Sequence, residues 1–234
     1  AYAWAGRTAG VPVTVVMPAA AVRSKVDACL GYGAEVILHG VDVGEALLEM
    51  ERIRDLRGLT YCHPFDDPFV IAGHGSIGLE ILEDLPDVDL VVVGVGGGGL
   101  ISGVGSAIRA LAPDVRILGA EPETAAPGAV SFAAGGPRVF EGWQATFVDG
   151  AGGKSIFPRM WERMQGVVDG SIVVTLDEVK RAMRLVAEKV RVIAEGAGAL
   201  GVAAALSGKA GDGPIVAVVS GGNIDLKKFA ELVL

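Results

Sequence analysis

The 234-residue chain is 51% hydrophobic and carries a formal net charge of −8, with its lysines and arginines scattered rather than clustered. That length and composition support one large or two modest globular domains. They argue against nucleic acid, which needs a clustered basic face, and against an anionic membrane surface.

Two cysteines, Cys29 and Cys62, stand outside any CxxC pair, and His39, His63 and His74 lie far apart with no HExxH-type spacing. Neither a disulfide framework nor a zinc site is expected. No secretory signal is legible, so a reducing cytoplasm is the expected compartment. Residues 90–108 are uncharged and approach the length of a membrane span. The glycines within them, and the lack of a basic flank, read instead as strand, loop and helix start.

In chain order, residues 1–9 read as the end of a helix. Val13-Thr14-Val15-Val16-Met17 is a short strand stopped by Pro18. Residues 20–30 are helical by composition, and Gly31 and Gly33 mark the end. Glu35-Val36-Ile37-Leu38 is a second strand. Residues 43–57 form an amphipathic helix, in which Leu47, Leu48, Met50, Ile53 and Leu56 share a face and Gly58 follows as the C′ glycine. Leu59-Thr60-Tyr61-Cys62 is predicted as a third strand. This β-α-β-α-β alternation favours a parallel sheet with helical cover. His63-Pro64-Phe65-Asp66-Asp67-Pro68 breaks it. A boundary placed there divides a partial small α/β domain, residues 1–66, from a large one, residues 67–234.

A helix over residues 69–85 leads to the most informative stretch, Val91-Val92-Val93-Gly94-Val95-Gly96-Gly97-Gly98-Gly99-Leu100. A β-branched run reads as a buried strand. Four glycines let several backbone N–H groups converge, and a helix opening near Leu100 adds its unpaired N–H groups and dipole. The sum is an anion cradle suited to phosphate. A flexible hinge is the blander reading, and a plain nucleotide-binding domain a further one, although no GxGxxG follows the first strand.

Residues 115–121 are the next strand. Residues 122–153 have weak periodicity and read as a long functional loop. Residues 156–164 are helical, and residues 171–175 form a strand. Thr175-Leu176-Asp177-Glu178 is a capping box opening a helix to about Arg191. An alanine-rich helix over residues 195–206 and a strand over 214–219 complete the pattern, ending in Ser220-Gly221-Gly222-Asn223.

Several of these segments occur together in the order of a known family. Pro64-Phe65-Asp66, Ile71-Ala72-Gly73-His74-Gly75-Ser76 with Glu80, Gly96-Gly97-Gly98-Gly99-Leu100, Ala120-Glu121-Pro122, Val148-Asp149-Gly150, Glu195-Gly196-Ala197-Gly198-Ala199 and Ser220-Gly221-Gly222-Asn223 span nearly the whole chain. The set resembles the fold-type II pyridoxal-phosphate (PLP) enzymes of the threonine/serine dehydratase and serine racemase group. The resemblance implies two three-layer α/β/α domains with mostly parallel sheets, of tryptophan synthase β-like fold. It implies PLP held by Gly96, Gly97, Gly98, Gly99 and Leu100, with Gly150 and Glu195 bordering the ring and Ser220 with Gly221 at the pyridine nitrogen. Ser220 also reads as a turn hydroxyl, and Glu195 as an acid satisfying a helix dipole.

The implied activity is ammonia-lyase action on L-threonine or L-serine by a cytoplasmic homodimer, without nucleic acid or membrane. Serine racemase and a non-catalytic PLP- or phosphate-binding subunit are the alternatives. Some members bind a divalent cation at positions matching Glu121 and Ala125, but the third position is Pro127, which offers no carboxylate. The family's Schiff-base lysine, in a Ser-Phe-Lys-type motif, and its Asn-His segment have no counterpart here. Ala1-Tyr2-Ala3-Trp4 resembles the residues just after that segment, so a form truncated at its N-terminus, inactive or impaired alone, is expected. Lys25 and Lys154 are poor substitutes for the missing lysine.

Overall fold

The computed structural model describes residues 1–41 and 43–234. It divides into two compact units, Ala1–Cys62 and His63–Leu234.

The first unit contains α1 (Tyr2–Ala9), β1 (Thr14–Met17), α2 (Arg23–Gly31), β2 (Glu35–Leu38) and α3 (Val43–Arg57). β1 and β2 pair in parallel from Thr14 opposite Glu35 to Met17 opposite Leu38. Gly10 closes α1 in the left-handed region at φ 68°, a conformation that costs glycine little. Glu35 ties strand to helix, accepting from Thr14 Oγ1 at 2.8 Å and Arg57 at 2.7 Å. The expected third strand does not form: residues 59–62 join no ladder. A β-branched or aromatic run is a strand only where another strand meets its N–H and C=O groups.

The second unit is built on a four-stranded sheet in the order β5-β4-β3-β6, with every pairing parallel. Its elements are α4 (Pro68–Asp84), β3 (Leu90–Gly94), α5 (Gly99–Leu111), β4 (Arg116–Pro122), α6 (Pro127–Ala134), a 3-10 turn (Asp149–Ala151), α7 (Pro158–Met164), β5 (Gly170–Val174), α8 (Leu176–Leu185), a π-helical turn (Val186–Val190), α9 (Gly196–Leu206), β6 (Ile215–Ala217) and α10 (Leu226–Val233).

Alternation along β3 explains the layering. Leu90 and Val92 join Leu118, Val174, Met183, Leu200 and Phe229 in a core under α8, α9 and α10. Val91 and Val93 join Ile71, Ile101, Ile108, Ile117, Met160 and Met164 in a second core under α4, α5 and α7. The valine run is therefore a central strand buried on both faces, as parallel sheets require. The result is a three-layer α/β/α arrangement.

Local sequence fixes several ends. Asp67 accepts from Phe69 N and Val70 N and precedes Pro68 at the first turn of α4. The capping box on α8 is present in both directions, between Thr175 and Glu178. The helix expected to run to Arg191 is α-helical only to Leu185. It then passes through the π turn to Arg191, which sits in the left-handed region at φ 63°.

Two helices depart from the sequence expectation. α6 lies inside the stretch read as loop, where alanine and glycine blur the 3.6-residue period. α10 follows the Ser220 loop and is announced by Asp225, whose side chain accepts from Lys227 N and Lys228 N. Among the described residues, no helix is long and apolar enough to cross a membrane.

Candidate cofactor site

Parallel pairing of β3 with β6 sends the loops after both strands to the same edge of the sheet. The loop after β3 is the tetraglycine, leading into α5 on one face. The loop after β6 is Ser220-Gly221-Gly222-Asn223, leading into α10 on the other. Neighbouring loops that depart to opposite faces open a crevice at the C-terminal edge, the usual ligand position in open α/β sheets.

Gly98 is the N-cap of α5, at φ 90°, and its carbonyl accepts the first helical bond from Ser102 N at 3.0 Å. The N–H groups of Gly99, Leu100 and Ile101 therefore have no carbonyl partner within the helix. Each glycine is hemmed in. A Cβ on Gly96 would stand 2.9 Å from Gly150 O, one on Gly97 would overlap the Phe65 ring, and one on Gly98 would stand 2.6 Å from Met164 Sδ. A Cβ on Gly99 would meet Phe65 O at 2.7 Å. The loop thus presents backbone toward the crevice because side chains have no room. Ser102, on the next turn, is buried, and its Oγ lacks a hydrogen-bond partner among the described residues.

The second wall comes from the start of α9. Glu195 N donates to Gly221 O at 3.0 Å. A Cβ on Gly221 would stand 2.7 Å from Glu195 Oε1, and one on Gly150 would stand 3.6 Å from the same atom. The carboxylate therefore lies between those two backbones rather than capping α9. Ser220 is exposed at the end of β6. The structure thus links Gly96 to Gly150, and Gly150 to Gly221 through Glu195, at the C-terminal edge of the sheet, with Gly97, Gly98, Gly99, Leu100 and Ser220 on the same two loops. Phe65, Met160, Met164 and Ser102 are additions that sequence reading did not single out. Phe65 alone carried a signal, as part of Pro64-Phe65-Asp66.

Glu121, which the resemblance matches to a cation position left incomplete by Pro127, places its carboxylate at the start of α6. It is fully buried, and its oxygens accept from Gly128 N and Ala129 N at 2.7 Å each and from Ser171 Oγ at 2.6 Å. Burial pushes its pKa up, and those three donors work against the rise. The carboxylate satisfies the first turn of α6, a turn the sequence reading had placed in a loop. Ala125, also buried, donates its N–H to Pro122 O. Among the described residues, no group of three or more His, Cys, Asp or Glu side chains is placed to hold a metal. Lys154 lies over the Trp143 ring at 4.6 Å, and Trp143 Nε1 donates to Gly152 O at 2.7 Å, so its amine is held against an indole.

Fold and crevice together define an open parallel α/β protein built to hold an anionic ligand at a switch point. The family model described as pyridoxal-phosphate dependent enzyme matches residues 1–221, and the chain belongs to that family. It is 43% identical to the L-threonine ammonia-lyase of Thermotoga maritima over 232 residues, covering 99% of this chain and 58% of that protein. It is 41% identical to the L-threonine dehydratase catabolic TdcB of Staphylococcus aureus, covering 96% of this chain and 66% of that protein. The structure of maize serine racemase superposes with a TM-score of 0.90 at 34% identity, over 98% of this chain and 71% of that one. The chain therefore spans about three-fifths to two-thirds of the length of these curated relatives. The fold is the type II arrangement of PLP enzymes.

Proposed function

We propose that the crevice holds pyridoxal 5′-phosphate and that these residues serve an ammonia-lyase acting on L-threonine or L-serine, which yields ammonia and a 2-oxo acid. The observation that supports this most is the placement of the tetraglycine and Ser220 loops on neighbouring strands at the same edge of the sheet, leading into helices on opposite faces. The hemmed-in glycines fit a phosphate, because only backbone N–H groups and the positive end of α5 face it. In this reading residues 96–100 take the phosphate, Ser220 offers its hydroxyl to the pyridine nitrogen, and Glu195, Gly150 and Gly221 border the ring.

When bound, the cofactor supplies the electron sink for loss of the α-proton and the β-hydroxyl. A neutral serine hydroxyl does not force the pyridine nitrogen to protonate, which suits β-elimination. The relatives in Thermotoga and Staphylococcus favour threonine by their names. A homodimer in a reducing cytoplasm, where Cys29 and Cys62 stay thiols, completes the reading.

The 234 residues carry no Ser-Phe-Lys motif, so we assign them the cofactor cradle and not the acid–base lysine. The test adds PLP to the purified chain, records the visible spectrum, then adds threonine and assays 2-oxobutanoate. Binding is expected, with turnover only when a segment carrying that lysine is supplied. Turnover by the chain alone, or a borohydride-stable bond to one of its lysines, would overturn the assignment. Absence of PLP binding would remove the cradle. Formation of D-serine from L-serine in the complemented assay would move the reaction to racemisation, the activity named for the maize structure.

A further inference from the structure

The tetraglycine loop is gripped from both sides, and a single helix supplies or anchors both jaws. On one side the Phe65 ring covers Gly97, and the Phe65 backbone lies against Gly99. On the other, Met164 Sδ and Met160 Cε would stand 2.6 and 3.4 Å from a Cβ on Gly98. Both methionines are on α7 and are fully buried. One residue before each of them come Arg159 and Arg163, four apart and so on one face of the same helix. Both arginines reach Asp66, the neighbour of Phe65: Arg163 Nε lies 3.3 Å and Arg159 Nε 3.4 Å from Asp66 Oδ1. The Asp66 side chain is only 13% exposed. His63 closes the turn that carries Phe65, its Nδ1 accepting from Phe65 N at 3.2 Å and Asp66 N at 2.9 Å. Its ring meets Phe65 edge-on at 4.5 Å.

Asp66 Oδ1 and Arg163 Nε are buried with no aligned hydrogen bond between them or to another described group. Such a pair adds little net stability, because desolvation offsets its attraction. What it does supply is direction, since it fixes the Phe65 turn relative to α7. A loop of four glycines needs that, because ordering it only on binding would cost the conformational entropy of its most permissive residues.

We propose that Asp66, held by Arg163 and Arg159, is a positioning residue that presses Phe65 onto Gly97 and Gly99 and so presets the tetraglycine loop for its anion. This rests on the reading of that loop as the cofactor-phosphate cradle. The clamp acts before any ligand arrives, so it has a signature in the ligand-free chain.

The test compares the 234-residue chain with Asp66→Asn, Arg163→Met and the double variant. The readouts are hydrogen exchange at the amides of residues 97–100 without ligand, and titration with pyridoxine 5′-phosphate, which has no aldehyde and needs no lysine. Asp66→Asn is expected to speed exchange at residues 97–99 while leaving residues 91–93 protected. It should weaken pyridoxine 5′-phosphate by about tenfold, within the range usual for coupling between a site and a group that positions it. The double variant should lose no more than the worse single, and Asp66→Glu should restore part of the affinity. A merely structural pair would lower the melting temperature without changing exchange at the glycines relative to β3.

Unchanged exchange at residues 97–99 overturns the clamp, as does unchanged affinity in a chain that binds. Exchange that responds while even the unaltered chain ignores pyridoxine 5′-phosphate keeps the clamp and removes the cradle. If Asp66→Asn does not fold, Arg159→Met and Arg163→Lys carry the same comparison from the other side of the pair.

Discussion

The two loops that form the crevice are built differently. The tetraglycine loop is packed by Phe65, Met164 and the backbone of Gly150 on successive residues, and Gly98 and Gly99 are buried. The Ser220 loop is more exposed, at Ser220, Gly222 and Asn223, although its glycines are also close-packed: Glu195 N donates to Gly221 O, a Cβ on Gly221 would stand 2.7 Å from Glu195 Oε1, and one on Gly222 would overlap Ile193 O. Both walls hold their glycines tightly, but the tetraglycine wall is buried at Gly98 and Gly99 and offers main chain, whereas the other is more exposed and offers a side-chain hydroxyl. An anchor that must bind the same group in every cycle gains from rigidity, because little ordering entropy is lost on binding.

That contrast can be broken most severely at Gly97. Gly97→Leu would drive a side chain into Phe65, and pyridoxine 5′-phosphate affinity should fall by about 100-fold, as ångström-scale misplacement of binding groups does. Fluorescence titration reads it directly. Next comes the strand beneath. Val93→Ala removes two methyls from a fully buried site and should cost about 2 kcal/mol in thermal unfolding. Val216→Ala, in half-buried β6, should cost under about 1 kcal/mol.

Ser220→Ala should weaken the same ligand only several-fold, about 1 kcal/mol for one hydrogen bond, with unfolding unchanged; a loss matching that of Gly97→Leu would erase the difference between the walls. The smallest effect expected is one of pH. His63 Nδ1 accepts two N–H groups only when it is deprotonated. Burial holds its pKa below the ordinary histidine value, with Asp66 and Asp67 pulling it up and Arg159 pulling it down. A depressed folded-state pKa means that the stabilisation is complete above about pH 6.5. It is then lost as pH falls through the lower folded value. His63→Asn, which keeps an acceptor near the Nδ1 position, should flatten that dependence in unfolding measured from pH 8 to 5.

Much of this architecture was legible before any coordinates. Residues 35–38 and 43–57 do form a strand and a helix, although Leu48 and Leu56 of the helix's expected apolar face are exposed, and β3 read as buried because it has no polar alternate. The glycines of the crevice were legible for a chemical reason, since only glycine permits such backbone. What failed depended on distant partners. Residues 59–62 have strand composition, but no neighbouring strand pairs with them. The partners of Glu121 were not legible either: α6 lies in a stretch that reads as loop, so nothing along the chain announces that the carboxylate accepts from Gly128 N and Ala129 N. The grip of Arg163 on Asp66 joins residues 97 positions apart (163 − 66), and no pattern along the chain announces it.

The parallel pairing of β3 with β6 also has a kinetic consequence. Leu90 meets Ile215, so the crevice closes only after nearly the whole second unit has been synthesised and a very long loop has been brought together. Closure of that kind is slow, because the entropy of the long loop is lost before its contacts form. The wall of main chain, made by β3, α5 and α7, is therefore expected to mature ahead of the wall that carries Ser220, an order that pulse-labelled exchange during refolding would resolve. If the proposed cofactor site holds, a nascent chain forms the loop assigned to the phosphate before the loop assigned to the ring.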